Sequence, residues 1–65
     1  MDESMAQLTQ KELTGLEELL NGEQLLVKKF HHYASTAADT EIKTLCEQLS
    51  NRHKQHYDTL MGYLY

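Results

Sequence analysis

Residues 13–34 read LTGLEELLNGEQLLVKKFHHYA, and the fold follows from where the apolar side chains fall in that stretch. Leu13, Leu16, Leu20, Val27, Phe30 and Ala34 recur at alternating steps of three and four, with Glu23 at the one polar step. That alternation is a heptad seam, the mark of a helix that lays one stripe against another helix. Leu19, Leu26 and Tyr33 widen the stripe on one side. The result is the broad face of a bundle helix rather than the narrow seam of a coiled coil.

The start of this helix is written into the residues before it. Thr9 followed by Glu12 is a capping box, and Leu8 and Leu13 bracket it as a hydrophobic staple. Helix 1 is predicted over about 10–36, fading at Ser35 and Thr36. The residues before it, 1–8, are expected to form a flexible N-terminus. Asp39 is the best N-cap for a second helix, with Glu41 favourably placed in its first turn. Its stripe reads Ile42, Cys46, Leu49, His53, His56, Leu60 and Tyr63, flanked by Leu45, Tyr57 and Leu64. Helix 2 is predicted over about 40–64. The chain has no proline and no period-two alternation, so no strand competes. A short connection at Ala37-Ala38 makes the two helices antiparallel neighbours.

At 65 residues the chain is a single domain near the lower limit for folding alone. Two helices bury one face each, and small scaffolds of this kind need a disulfide, a metal or a partner chain. Cys46 is the only cysteine, which excludes an intrachain disulfide. An all-α, antiparallel two-helix hairpin is therefore expected to dimerise into a four-helix bundle. Gly15 and Gly22, one heptad apart, leave room for close approach of a partner helix.

The formal net charge is −4, and the few basic residues are scattered among acids. That excludes the basic footprint of a nucleic-acid-binding module. No apolar stretch approaches a membrane span. The acidic start, Met1-Asp2-Glu3-Ser4, lacks the apolar core of a secretory leader. With a lone cysteine, this points to a reducing, cytoplasmic setting.

Three residues on the core stripes are polar. If the turn centres near Ala38, facing residues have numbers that sum to about 76. Glu23 then lies level with His53, and His56 falls one turn away, near Leu20. A carboxylate at a core position is costly unless it is paired or bound to a cation. His53 and His56, three apart, share a helix face and offer neutral ring nitrogens. One reading makes Glu23, His53 and His56 a metal site. Imidazole with carboxylate suits a transition metal such as Zn or Fe rather than Ca or Mg. A second reading makes them a hydrogen-bonded polar layer that fixes register. A third has the groups reaching water on a shallow face. Cys46 lies about 10 Å along the helix from His53, too far to join them. No nucleophile–base pair, phosphate loop or CxxC is present. The chain reads as no enzyme; an oxidase would have to work through the Glu–His cluster.

The runs LTQKEL (Leu8 to Leu13), EQLLVKKFHHYA (Glu23 to Ala34), LCEQL (Leu45 to Leu49) and RHKQHY (Arg52 to Tyr57) resemble the small coat F-like spore coat proteins of spore-forming Firmicutes. The resemblance spans nearly the whole chain after residue 7. It implies a ferritin-like helical architecture, a place in the spore coat and coat proteins as partners. It implies little about mechanism. The ferritin-like half-site has a Glu on one helix and Glu-x-x-His on the next. Glu23 and His56 match two of those positions, but His53 stands where the pattern has Glu. Taken together, these readings give a small dimeric structural or interaction protein, with a metal-binding bundle as the alternative.

Overall fold

The structure, a computed structural model, describes residues 8–64. Residues 1–7 and Tyr65 lie outside them, and with them most of the N-terminal segment expected to be flexible. Two helices account for the described residues, with no strand among them: α1, Gln10–Thr36, and α2, Thr40–Met61. They pack against each other as an antiparallel hairpin, a rod of 47 × 16 × 12 Å.

Each helix begins where its cap dictates. The Thr9 hydroxyl accepts from the Glu12 amide at 3.1 Å, and the Thr9 amide donates to the Glu12 carboxylate at 3.0 Å. Both halves of the capping box are thus closed. At the far end of α1, the Ser35 and Thr36 hydroxyls donate to the His32 carbonyl at 2.7 and 3.2 Å. The Ala37 amide closes the last turn on the Tyr33 carbonyl. Extended backbone at Ala37 and Asp39 then reverses the chain within three residues. The Asp39 carboxylate caps α2 by accepting from the amides of Glu41 at 2.7 Å and Ile42 at 3.1 Å.

α2 stops at Met61, short of the expected residue 64. Gly62 follows, the residue with the greatest conformational cost in a helix. Beyond it the amides of Tyr63 and Leu64 reach back three residues, to Leu60 and Met61, in a tighter final turn.

The seam between the helices is narrow. Leu20 and Ala34 of α1 and Cys46 and Ser50 of α2 are buried. Leu13, Leu16, Glu23, Val27 and Phe30 are half-buried, so the α1 stripe faces its partner as the heptad predicts. Of the expected α2 stripe, Cys46 is buried and Leu49, His53 and Leu60 are half-buried, but the rest of the inward face is rotated. Ser50, Tyr57 and Leu64 turn inward, whereas Ile42, His56 and Tyr63 are half exposed or more. Ser50 explains the rotation locally. Its small side chain admits α1 closely, and its hydroxyl donates to the Val27 carbonyl at 3.1 Å. A buried hydroxyl needs such a partner, and a backbone carbonyl of the facing helix supplies it.

The two grooves flanking this seam differ in chemistry. One is lined by His31, Ser35, Lys43, Glu47 and Asn51 around Ala34 and Ser50. The other is lined mainly by Leu19, Gly22, Leu26, Thr59 and Leu60, with Glu18, Glu23 and His56 beside them, and continues past Glu12 and Gly15 to Tyr63. The hairpin therefore has a polar side and an apolar side.

Candidate metal centre

Glu23, His53 and His56 come together at one height of the hairpin. Glu23 is the middle residue of α1, thirteen positions from either end. The facing position on α2 is His53, as the register of an antiparallel hairpin requires. Nδ1 of His53 is hydrogen-bonded to the Glu23 carboxyl group, at 3.0 Å from Oε1 and 3.2 Å from Oε2. His56, one turn further along α2, does not sit by Leu20 alone. It brings its Nδ1 to 3.2 Å from Glu23 Oε2. One ligand atom from each of the three residues lies within 4.8 Å of the other two.

Burial grades across the cluster. The Glu23 side chain is 16% exposed and that of His53 20%, while His56 is 52% exposed. The site is thus covered on the seam side and open on the side of the apolar groove, which His56 helps to line. The expectation that all three lie in a core holds for two of them within one chain; the rotation of α2 brings the third to the surface.

Two aromatic contacts fix the rings. Phe30 stacks on His53 with planes 3° apart and centroids 5.7 Å apart, and His53 meets His56 edge to face at 5.4 Å and 88°. The Phe30 contact was not foreseen from register, which set Phe30 opposite Cys46. The available signal was its spacing: Phe30 lies one heptad from Glu23 on the same face of α1.

The arrangement supports two kinds of chemistry. As it stands, the Glu23 carboxyl group is hydrogen-bonded to Nδ1 of His53 and lies beside the Nδ1 of His56, so it has a partner without a metal. For a tetrahedral ion with legs of 2.0–2.1 Å, neighbouring ligand atoms sit about 3.3 Å apart. The observed 3.0 and 3.2 Å separations are close to that edge. A neutral imidazole that donates from Nδ1 also presents a bare lone pair at Nε2, the usual metal-ligating atom. Cys46 is buried further along α2 and takes no part. His31 and His32 are exposed and stand apart from the cluster.

The Glu12 carboxyl is drawn clearly below its ordinary value of 4.5. The Thr9 backbone amide, and then the Thr9 hydroxyl, hold it lower by hydrogen bonding to the charged form. This belongs to the helix start rather than to the site.

No protein-family model matches the chain, and no curated protein or solved structure matches it either.

Proposed function

We propose that this chain is a small structural and interaction protein that works as a homodimer, two hairpins closing into a four-helix, ferritin-like bundle. The observation that carries the reading is the apolar side of the hairpin. Leu19, Tyr33, Ile42, Leu45 and Tyr63 are each about half exposed there. On both helices that side repeats at heptad steps: Gly15, Leu19, Gly22, Leu26 and Tyr33 on α1, and Ile42, Leu45, Leu49, His56 and Tyr63 on α2. Such a stripe on a lone rod leaves a large apolar patch in water.

A second copy is the occupant that fits. A face of 47 by 16 Å offers on the order of 700 Å² per copy, near the ~800 Å² per partner of a stable interface. A Cβ placed on Gly15 or Gly22 would meet nothing within 4 Å, so both positions are open for a neighbouring helix. A twofold dimer also sets matching faces together without a second gene product. The resemblance to spore coat-associated proteins favours the same reading, with other coat proteins as further partners. Sedimentation of the full chain at micromolar concentration tests it: a dimer supports the proposal, and a folded monomer contradicts it.

The Glu–His cluster favours a second reading, in which the bundle also holds a transition metal ion such as Zn or Fe through Glu23, His53 and His56. Metal analysis of the tag-free protein beside His53→Ala tests that. Metal lost in the variant supports it; a wild-type chain that refuses added Zn and Fe leaves the three residues as a polar layer.

A further inference from the structure

We infer that Glu23 and the Nδ1 atoms of His53 and His56 hold one transition metal ion per chain, and that the coordination position they leave open takes a small monovalent anion. The inference rests on the metal-binding reading above and adds its ligand atoms, its stoichiometry and the class of its exogenous ligand.

The ring edges that meet at the carboxylate are the Nδ1 edges. Oε2 of Glu23 lies 3.2 Å from Nδ1 of His53 and 3.2 Å from Nδ1 of His56. Ligands on one tetrahedral ion sit about 3.3 Å apart, so a single carboxylate oxygen already stands at ligand spacing from both rings. One ligand atom of each residue lies within 4.8 Å of the other two. A neutral imidazole carries its proton on either nitrogen, so an ion that takes Nδ1 leaves the proton on Nε2. Phe30, stacked on His53 with planes 3° apart, holds that ring in place.

Three protein ligands make an open site. Structural zinc sites close with four, whereas sites that keep a position for water or substrate have three. Among the described residues, no fourth His, Cys, Asp or Glu joins Glu23, His53 and His56. Glu18, the other acid beside the apolar groove, stands outside the group. Glu23 and His56 line that groove, while His53 lies against Phe30, so an incoming molecule reaches the ion from the groove side. A divalent ion bound by one carboxylate and two neutral imidazoles keeps a single positive charge. Net charge is costly where Glu23 and His53 are only 16% and 20% exposed. A monovalent anion cancels that charge, and a divalent one overshoots it.

The test is a titration of the metal-free full chain with Co(II), followed by visible absorption, and then of the loaded protein with azide or sulfate. Wild type should saturate at one ion per chain. Azide should shift the visible bands saturably, and sulfate at the same concentration should not. His56→Ala, altered at a largely exposed side chain, should stay helical and lose the ion. Glu23→Gln should weaken binding more than roughly 100-fold, beyond the range for a lost outer partner. Half an ion per chain, or bands that azide leaves unmoved, overturns the inference: a second copy then supplies the remaining ligands, and the metal-binding reading survives. A loss of only about 10–100-fold in Glu23→Gln also overturns it, because Glu23 then orients the rings from outside the coordination shell. Bands that sulfate moves as readily as azide overturn the monovalent ligand. Refusal of both Co(II) and Zn(II) overturns the inference and the metal-binding reading together.

Discussion

Glu23 and His53, thirty residues apart in sequence, meet across the hairpin with the carboxylate 3.0 Å from Nδ1. This contact ties the midpoint of α1 to α2 and fixes how the helices slide against each other. Two half-buried polar groups that satisfy one another are costly to separate and cheap to remove together. His53→Leu leaves the Glu23 carboxylate without its hydrogen-bond donor and is expected to destabilise the protein by about 1–3 kcal/mol. Glu23→Leu should do the same from the other side. The double variant should cost less than the sum of the two, since contacting residues couple by roughly 0.5–3 kcal/mol. Urea melts at one fixed protein concentration measure all three, and strict additivity would show that the contact carries no energy.

Ser50 sets the spacing of the helices. Its hydroxyl bonds a carbonyl of α1 that already serves the helix ladder, so Ser50→Ala leaves no backbone group unpaired and should change stability by less than ~1 kcal/mol. Ser50→Leu restores an apolar residue but drives a large side chain into the tightest part of the seam. A loss of about 1–3 kcal/mol is expected from overpacking. Equal stability of the Leu variant would mean that the helices are free to separate there.

The hairpin was legible in the sequence because each of its signals is local. The Thr9–Glu12 capping box, the Asp39 cap and the three–four spacing each act within one or two turns, and each is found where the residues place it. The level of Glu23 with His53 follows from the turn and a constant rise per residue. What was not legible is which of two adjacent stripes on α2 faces α1. The apolar pattern favoured Ile42 and Tyr63, but both are half exposed, and Ser50 is buried instead. A heptad pattern counts hydrophobicity and cannot register a small polar residue that gains by letting a neighbouring backbone come close. The apolar residues left outside by that rotation are the ones the dimer proposal sets against a second copy.

Gly15 and Gly22 give a prediction whose sign depends on the dimer. In an isolated hairpin, alanine at either position meets nothing within 4 Å and should stabilise the helix by up to ~1 kcal/mol. In a dimer that uses these positions for close approach, the added methyl groups push the second copy away. Gly15→Ala with Gly22→Ala is therefore expected to raise helicity at low concentration and to weaken dimerisation at least tenfold. Concentration-dependent circular dichroism reads both effects, and a uniformly stabilised dimer would place the glycines outside the interface.

The Thr9–Glu12 box makes the start of α1 sensitive to acid. The carboxyl of Glu12 is lowered in the folded chain by the Thr9 amide and hydroxyl, so its contribution is present above the ordinary value of 4.5. That contribution fades as pH falls below 4.5 through the lower folded value, because protonation weakens the acceptor. Amide protection over residues 9–13, measured against the intrinsic exchange rate at each pH, should fall across that range. Glu12→Gln should remove the pH dependence while keeping most of the cap; unchanged acid sensitivity in that variant would assign the effect elsewhere.

The central claim is that the apolar side of the hairpin is closed by a second copy, and sedimentation equilibrium of the metal-free full chain tests it most directly. The account predicts a helical dimer at micromolar concentration, which Leu19→Lys with Leu45→Lys converts to monomer and Asn51→Ala on the polar side leaves intact. A stable, helical monomer in the wild-type chain would contradict it.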